Sequence, residues 1–277
     1  VSHAHMDHIA GLERLLRLRL HRPQPLTILG PTDFVDQIQS RLGSYSWNLL
    51  DGNSVDFRLI AQAFDGTHIT EAAEFPARKR FARLEIPLPA LAPGVVLSEP
   101  EFEIRATVLD HGIPSLAFGF RQRERFNVWR TVLDELGLPV GPWIDEAKKA
   151  LREGHQDDYV ITVPGAGEVE IGVLRARVFH ASPGQNFAYV TDAADTQANR
   201  ARIVDLAEGA DQLFIEAAFL EEDRDFAEAT RHLTARAAGE IARSAHLGRV
   251  IPFHYSARYG EDISELSNEV AAAFTQS

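Results

Sequence analysis

Apolar positions in this chain switch between two spacings. Ile9, Leu12, Leu16 and Leu20 recur every three to four residues, the period of a helix that buries one face. Leu26–Gly30 ("LTILG") is a short apolar run, which reads as a buried strand. In "EFEIRATVLDH", Phe102, Ile104, Ala106 and Val108 alternate, predicting a half-buried strand that ends near His111; "SLAFGF" follows as its hairpin partner. "FAYVTD", "QLFIEAAF" and "RVIPFHYS" predict three later strands. Helical segments are expected at Gln197–Ala207, at 226–245 with a break left open, and at 263–274. Strands interleaved with helices imply an α/β layered fold.

One region departs from this pattern. Residues 121–159 are more polar, and Arg121, Arg123, Arg125, Arg130, Lys148, Lys149 and Arg152 make them locally basic. Gly137, Pro139, Gly141 and Pro142 predict a rigid turn between two short helical arms. The expectation is one domain over 1–277 carrying a protruding helical, Gly/Pro-containing arm at about 123–158. A solvated surface loop is the plainer alternative. No internal repeat or low-complexity segment is visible.

Composition narrows the chemistry. With 277 residues, 45% of them hydrophobic, the chain can build one sizeable core, or a two-layer domain with an insertion. No stretch approaches the roughly 20 apolar residues of a membrane span, so no membrane partner is expected. The chain has no cysteine, which excludes disulfides and thiolate metal sites and fits a cytoplasmic protein. A metal would need imidazole and carboxylate ligands. A net charge of −12 argues mildly against a nucleic-acid partner, although a local basic patch can override it. The chain starts with Val, so the numbering is expected to begin inside a longer gene product or after processing.

The opening stretch, "VSHAHMDHIAGL", holds His3, His5, Asp7 and His8 within six residues, just before the first helical pattern. In an extended segment His3 and His5 point the same way, while Asp7 and His8 fall on the turn into the helix and face a second point. That arrangement suits two metals roughly 3.5–4 Å apart. A chance cluster or an affinity-tag scar is the competing explanation, but a tag would be a plain run of His. Two metals need further ligands, and three candidates end predicted strands: His111, Asp192 and His254. Active-site groups of α/β folds gather at such ends, although each residue taken singly reads as an ordinary hydrogen-bonded one.

The order His-x-His-x-Asp-His, a lone His, an Asp and a late His resembles the metallo-β-lactamase superfamily, and within it the ribonuclease Z branch. "SHAHMDHIAGL" is similar to that family's H-x-H-G-D-H-x-x-G-L segment, "DHGIPSLAFGF" to its lone-His strand, and "ELGLPVGPW" to the Gly/Pro part of its substrate arm. "YVTDAAD", "FIEAAF", "RHLTARAA" and "FHYSARY" resemble its later motifs, and the likeness runs over essentially the whole chain. The resemblance implies a four-layer αββα sandwich whose first strands precede this chain, some 50–70 residues by the size of such two-layer folds. It implies two Zn2+ ions, with Mn2+ or iron as alternatives. His3, His5 and His111 would hold one ion, Asp7, His8 and His254 the other, and Asp192 would bridge them. A water ionised by both would attack a phosphodiester, with Asp7 accepting its proton. His232, oriented by Glu216, would protonate the leaving oxygen. Gly137, Pro139, Gly141, Pro142, Lys148 and Lys149 would meet a tRNA precursor, and the protein would be a homodimer.

Plainer roles remain for two of these: Glu216 as a strand-end surface group and His232 as a residue near a helix cap. His21, His68, His155, His180 and His246 match no motif. Four positions depart from the family pattern: Met6 for Gly, Ile215 for His, Ala218 for Thr and Leu233 for Ser. They keep open a hydrolase of small phosphodiesters or of sulfate or other esters, and, in another class, a non-catalytic binding protein on the same fold. The aromatics of "GSYSWNLLDG" (43–52) are expected either to line the site or to pack the surface.

Overall fold

The computed structural model describes residues 1–275 and separates them into two compact units. The first comprises 1–97, 104–120 and 187–275. It holds a four-stranded sheet in the order Leu26–Gly30, Arg58–Phe64, Ile69–Pro76, Leu84–Glu85. The first pair is parallel, joined through the helix Phe34–Gly43; the second and third strands form an antiparallel hairpin. That hairpin turns at "DGTH", where Asp65 accepts hydrogen bonds from the Thr67 and His68 N–H groups. A six-stranded sheet runs in the order Arg249–Phe253, Gln212–Glu216, Asn186–Val190, Pro114–Gln122, Phe102–Asp110, Val95–Ser98. Its first three strands are mutually parallel.

Alternation along the strands assigns each face to a layer. Leu59, Ala61, Ala73 and Phe75 are fully buried with the helices Leu12–Arg19 and Phe34–Gly43, through Leu12, Leu16, Phe34 and Ile38. Ala188, Val190, Leu213 and Ile215 are buried with Ile203, Ile241 and Val270 of the helices Gln197–Ala207, Ala235–Ser244 and Ser264–Thr275. Phe64 and Ile69 of one sheet meet Ala106 and Leu116 of the other. The result is helix, sheet, sheet, helix. Each of these large side chains contributes roughly 1.5–3 kcal/mol by leaving water.

Two predicted helices differ in detail. The first splits at Ala10 and Gly11 into Met6–Ile9 and Leu12–Arg19. The segment 226–245 breaks at Arg231, whose φ of +60° ends the helix Arg224–Thr230, and restarts at Thr234, whose hydroxyl caps Ala235–Ser244. His232 lies in that break. Of the 43–52 aromatics, Trp47 packs at a tilt against Phe81 with ring centroids 4.6 Å apart, and Tyr45, exposed at the surface, donates to Glu13.

The second unit comprises 98–103 and 121–186 and therefore contains 123–158. Helices Arg130–Leu136 and Trp143–Arg152 flank the Gly/Pro stretch. Trp143, Leu133, Leu151, Ile161, Ile171 and Leu174 form its own apolar core. No helix among the described residues is long and apolar enough to cross a membrane.

Asp195 links two helices of the first unit. It accepts from Arg200 at 2.5 and 2.9 Å and from Arg224 at 3.2 Å, with its own side chain 8% exposed. Burial opposes its charge, but the Arg200 and Arg224 hydrogen bonds outweigh it and hold the pKa below the ordinary carboxylate value. A depressed folded-state pKa stabilises above the unfolded value and loses that effect as pH falls. Asp195→Asn is therefore expected to lower the unfolding free energy at pH 7 by about 1–3 kcal/mol, below the buried-pair range because both arginines are partly exposed. In urea melts the gap between variant and wild type should narrow below about pH 4.

Candidate metal centre

The six-stranded sheet explains why distant residues meet. Its parallel strands Asn186–Val190, Gln212–Glu216 and Arg249–Phe253 end on one edge. Asp192 follows the first, Glu216 closes the second and His254 follows the third. His111 follows the strand Phe102–Asp110. The opening segment reaches the same edge because Leu116 N–H donates to Ser2 O at 2.8 Å and the Val1 amine donates to Leu29 O at 2.7 Å.

Asp192 lies at the centre. Its Oδ2 is 3.3 Å from His8 Nε2, 3.5 Å from His111 Nε2 and 3.7 Å from His3 Nε2, while its Oδ1 is 3.4 Å from His254 Nε2. One donor atom from each of His3, His5, His111 and Asp192 lies within 4.8 Å of the others. The same holds for Asp7, His8 and His254, and for Asp192, Glu216, His232 and His254. The seven side chains that the sequence singled out as ligands thus converge, and Glu216 and His232 stand beside them. His3, His111, Asp192 and Glu216 are buried, whereas Asp7 and Met6 are exposed.

His3, His111, Asp192, Glu216 and His232 are held from behind. His111 Nδ1 meets Arg231 O at 2.8 Å, so Nδ1–H donates and Nε2 faces Asp192. His3 Nδ1 meets Ser2 Oγ at 3.2 Å. Thr191 Oγ1 donates to Asp192 Oδ1 at 2.7 Å. Glu216 is neither exposed nor unpaired: Ala193 N–H donates to its Oε1 at 2.6 Å and His232 Nδ1 to its Oε2 at 2.7 Å. His254 adopts φ +58° and Arg231 φ +60°, left-handed conformations that non-glycine residues hold only when their surroundings impose them.

The electrostatics favour cation binding. Burial, followed by the charge of His8, pushes His3 down to about 4, and burial also lowers His111, so both are neutral at pH 7 with a lone pair available. Burial opposes ionisation of Asp192, yet the Thr191 hydrogen bond and the nearby His254 and His8 keep its pKa below the ordinary value. Neutral imidazoles and an ionised carboxylate are the protonation states that metal ligation requires. His8 Nε2 and His254 Nδ1 are also buried without a hydrogen-bond partner, a cost that a bound cation at Nε2 would remove for His8. The residues present therefore fit divalent cations. His232 behaves differently. Burial opposes its charge, but the Glu216 hydrogen bond and carboxylate prevail and raise its pKa.

Known proteins resemble the chain throughout. It is 30% identical over 276 residues to ribonuclease Z of Deinococcus radiodurans, covering 99% of this chain and 80% of that protein. The chain belongs to the ribonuclease Z family. Ribonuclease Z of Thermobifida fusca is 31% identical over 281 residues, covering 99% of this chain and 72% of the relative. The metallo-β-lactamase fold protein YhfI of Bacillus subtilis superposes with a TM-score of 0.53 at 16% identity, over 99% of this chain and 69% of that one, which supports the sandwich fold. No family model matches the chain.

The departures from the ribonuclease Z motifs have a physical reading. Ile215 and Leu233 are fully buried in the same apolar cluster under the helices, and Ala218 lies in a small cluster with Phe219. They change packing beneath the centre and leave the donor set intact. Met6 is 81% exposed beside Asp7.

Within the second unit the remaining sequence candidates shape the Gly/Pro turn. Gly137 ends its helix at φ +66°, Pro139 O accepts from the Trp143 indole at 2.7 Å, Gly141 O accepts from Ile144 N–H, and Pro142 precedes the next helix. Lys148 lines a cavity of about 230 Å³ with Arg123, Arg125 and Arg152. Lys149 is exposed and 3.9 Å from Glu153. Sequence reasoning missed Thr191 and Asn199, small polar residues that only coordinates distinguish from ordinary loop and helix positions. Glu216→Ala is expected to lower the unfolding free energy by about 2–4 kcal/mol in urea melts, because it strands two donors. Glu216→Gln, which keeps an acceptor for Ala193, should cost less.

Proposed function

We propose that this protein is a metal-dependent endoribonuclease that processes the 3′ ends of tRNA precursors. The observation that carries the reading is the gathering of three compact donor groups around one buried carboxylate, in a member of the ribonuclease Z family. In this reading His3, His5 and His111 hold one divalent cation, Asp7, His8 and His254 hold a second, and Asp192 serves both. Zn2+ suits imidazole and carboxylate donors, and Mn2+ or iron also fits them. A bound cation pair polarises a phosphodiester and acidifies water.

The chain's own residues then handle orientation and protons. Thr191 and the Ala193–Glu216 hydrogen bond fix the carboxylate and the loop that follows it. Asp7, exposed at the mouth, accepts a proton from the attacking water. His232, anchored through Nδ1 on Glu216, offers its Nε2 proton to the leaving oxygen. The second unit acts as the substrate arm, with Gly137, Pro139, Gly141, Pro142, Lys148 and Lys149 against the RNA backbone and cations compensating a net charge of −12. One hydrolase domain with this arm, a cytoplasmic location and a homodimer complete the reading.

A second reading, a hydrolase of small phosphodiesters or other esters, is favoured by Met6 at the mouth and by the overall acidity. Assaying a tRNA precursor beside bis(p-nitrophenyl) phosphate separates the two. The proposal expects cleavage at the precursor's 3′ side, loss after chelation, recovery with Zn2+ or Mn2+, and activity at background in Asp192→Asn and His254→Ala. Turnover of the small ester alone would remove tRNA as the substrate. Metal-free purified protein that gains no activity with added cations would favour a binding protein.

A further inference from the structure

Asn199 sits on the first turn of the helix Gln197–Ala207 and is 1% exposed. An amide there is unusual, since a buried polar side chain must find a partner for every donor it carries. Here it does. Its Oδ1 accepts from Asp110 N–H at 2.9 Å, and its Nδ2 donates to Asp110 O and to Ala194 O, both at 2.8 Å. Ala194 N–H also donates to Asp110 O at 2.8 Å. The side chain thus pairs with the Asp110 backbone as a neighbouring peptide would, at the point where the strand Phe102–Asp110 runs out. Asp110 precedes His111, and Ala194 lies two residues after Asp192.

We infer that Asn199 is a positioning residue that fixes His111 relative to Asp192 and so sets the first of the two cation sites. This rests on the two-cation reading above. Separately from these side-chain bonds, the Asn199 backbone N–H donates to Thr196 Oγ1 at 3.1 Å, a helix-cap bond that involves neither Asp110 nor Ala194. Alanine removes all three side-chain hydrogen bonds. Aspartate keeps the shape but lacks the two N–H donors and sets a carboxylate against two carbonyls. Thr196→Ala removes the helix cap alone and serves as the control for plain destabilisation.

The test is a Zn2+ titration of the metal-free full chain against a chromophoric chelator, for wild type, Asn199→Ala, Asn199→Asp and Thr196→Ala, with melting temperatures measured alongside. Wild type and Thr196→Ala should give the same two steps, with Thr196→Ala melting lower. Both Asn199 variants should weaken one step by about 10–100-fold, the range for groups that orient ligands, and the other far less. Unchanged steps in both, or two steps weakened in parallel with the melting temperature, would overturn the inference. A wild type that binds no Zn2+ would instead defeat the two-cation reading. If neither Asn199 variant folds, hydrogen exchange on the metal-free wild type decides. Protection of the Asp110 and Ala194 amides up to global unfolding is expected, and exchange by local opening would contradict the role.

Discussion

The buried Asp192 carboxylate is the interaction on which the rest of this molecule depends. A carboxylate out of water is costly unless charge or hydrogen bonds replace its hydration. Here Thr191 donates to one oxygen and four histidine Nε2 atoms lie within 3.7 Å of the pair of oxygens. These histidines come from the opening segment, the first site helix and the ends of two strands. Sheet order, the pinned N-terminal segment and the left-handed turn at His254 all serve to bring those imidazoles to one carboxylate.

Much of this was legible in the sequence, and the reasons are specific. His3, His5, Asp7 and His8 stand out because four ligand-type residues rarely crowd ahead of an apolar helix. His111, Asp192 and His254 stand out because apolar strands run directly into them. The break at Arg231 was left open by "RHLT", where a capping Thr restarts the helix. The hairpin Arg58–Phe64 and Ile69–Pro76 went unread although "FDGTHI" carries an Asp-Gly turn between alternating residues. Its many alanines weaken the strand signal. Glu216 could be read as a surface group because its partners, a backbone N–H and a histidine sixteen residues on, are set by tertiary contact alone. Asn199 was invisible for the same reason.

The departures from the family's motifs show how a site can keep its donors while its support changes. Ile215 and Leu233 extend an apolar cluster that already contains Val190, Ala217 and Ala235. Glu216 bonds the Ala193 amide and His232, Thr191 bonds Asp192, and the Arg231 carbonyl bonds His111. The second unit follows a similar logic on a smaller scale. Its glycines and prolines shape a turn around Trp143, and its own core leaves Arg123, Arg125 and Lys149 exposed while Arg152 pairs with Glu101.

The central claim is that two divalent cations share Asp192. Anomalous diffraction from crystals of the full chain grown with excess Zn2+ tests it most directly. Two peaks roughly 3.5–4 Å apart, one on each side of the Asp192 carboxylate, are expected. Zinc-saturated crystals with a single peak, or with peaks away from Asp192, would contradict it.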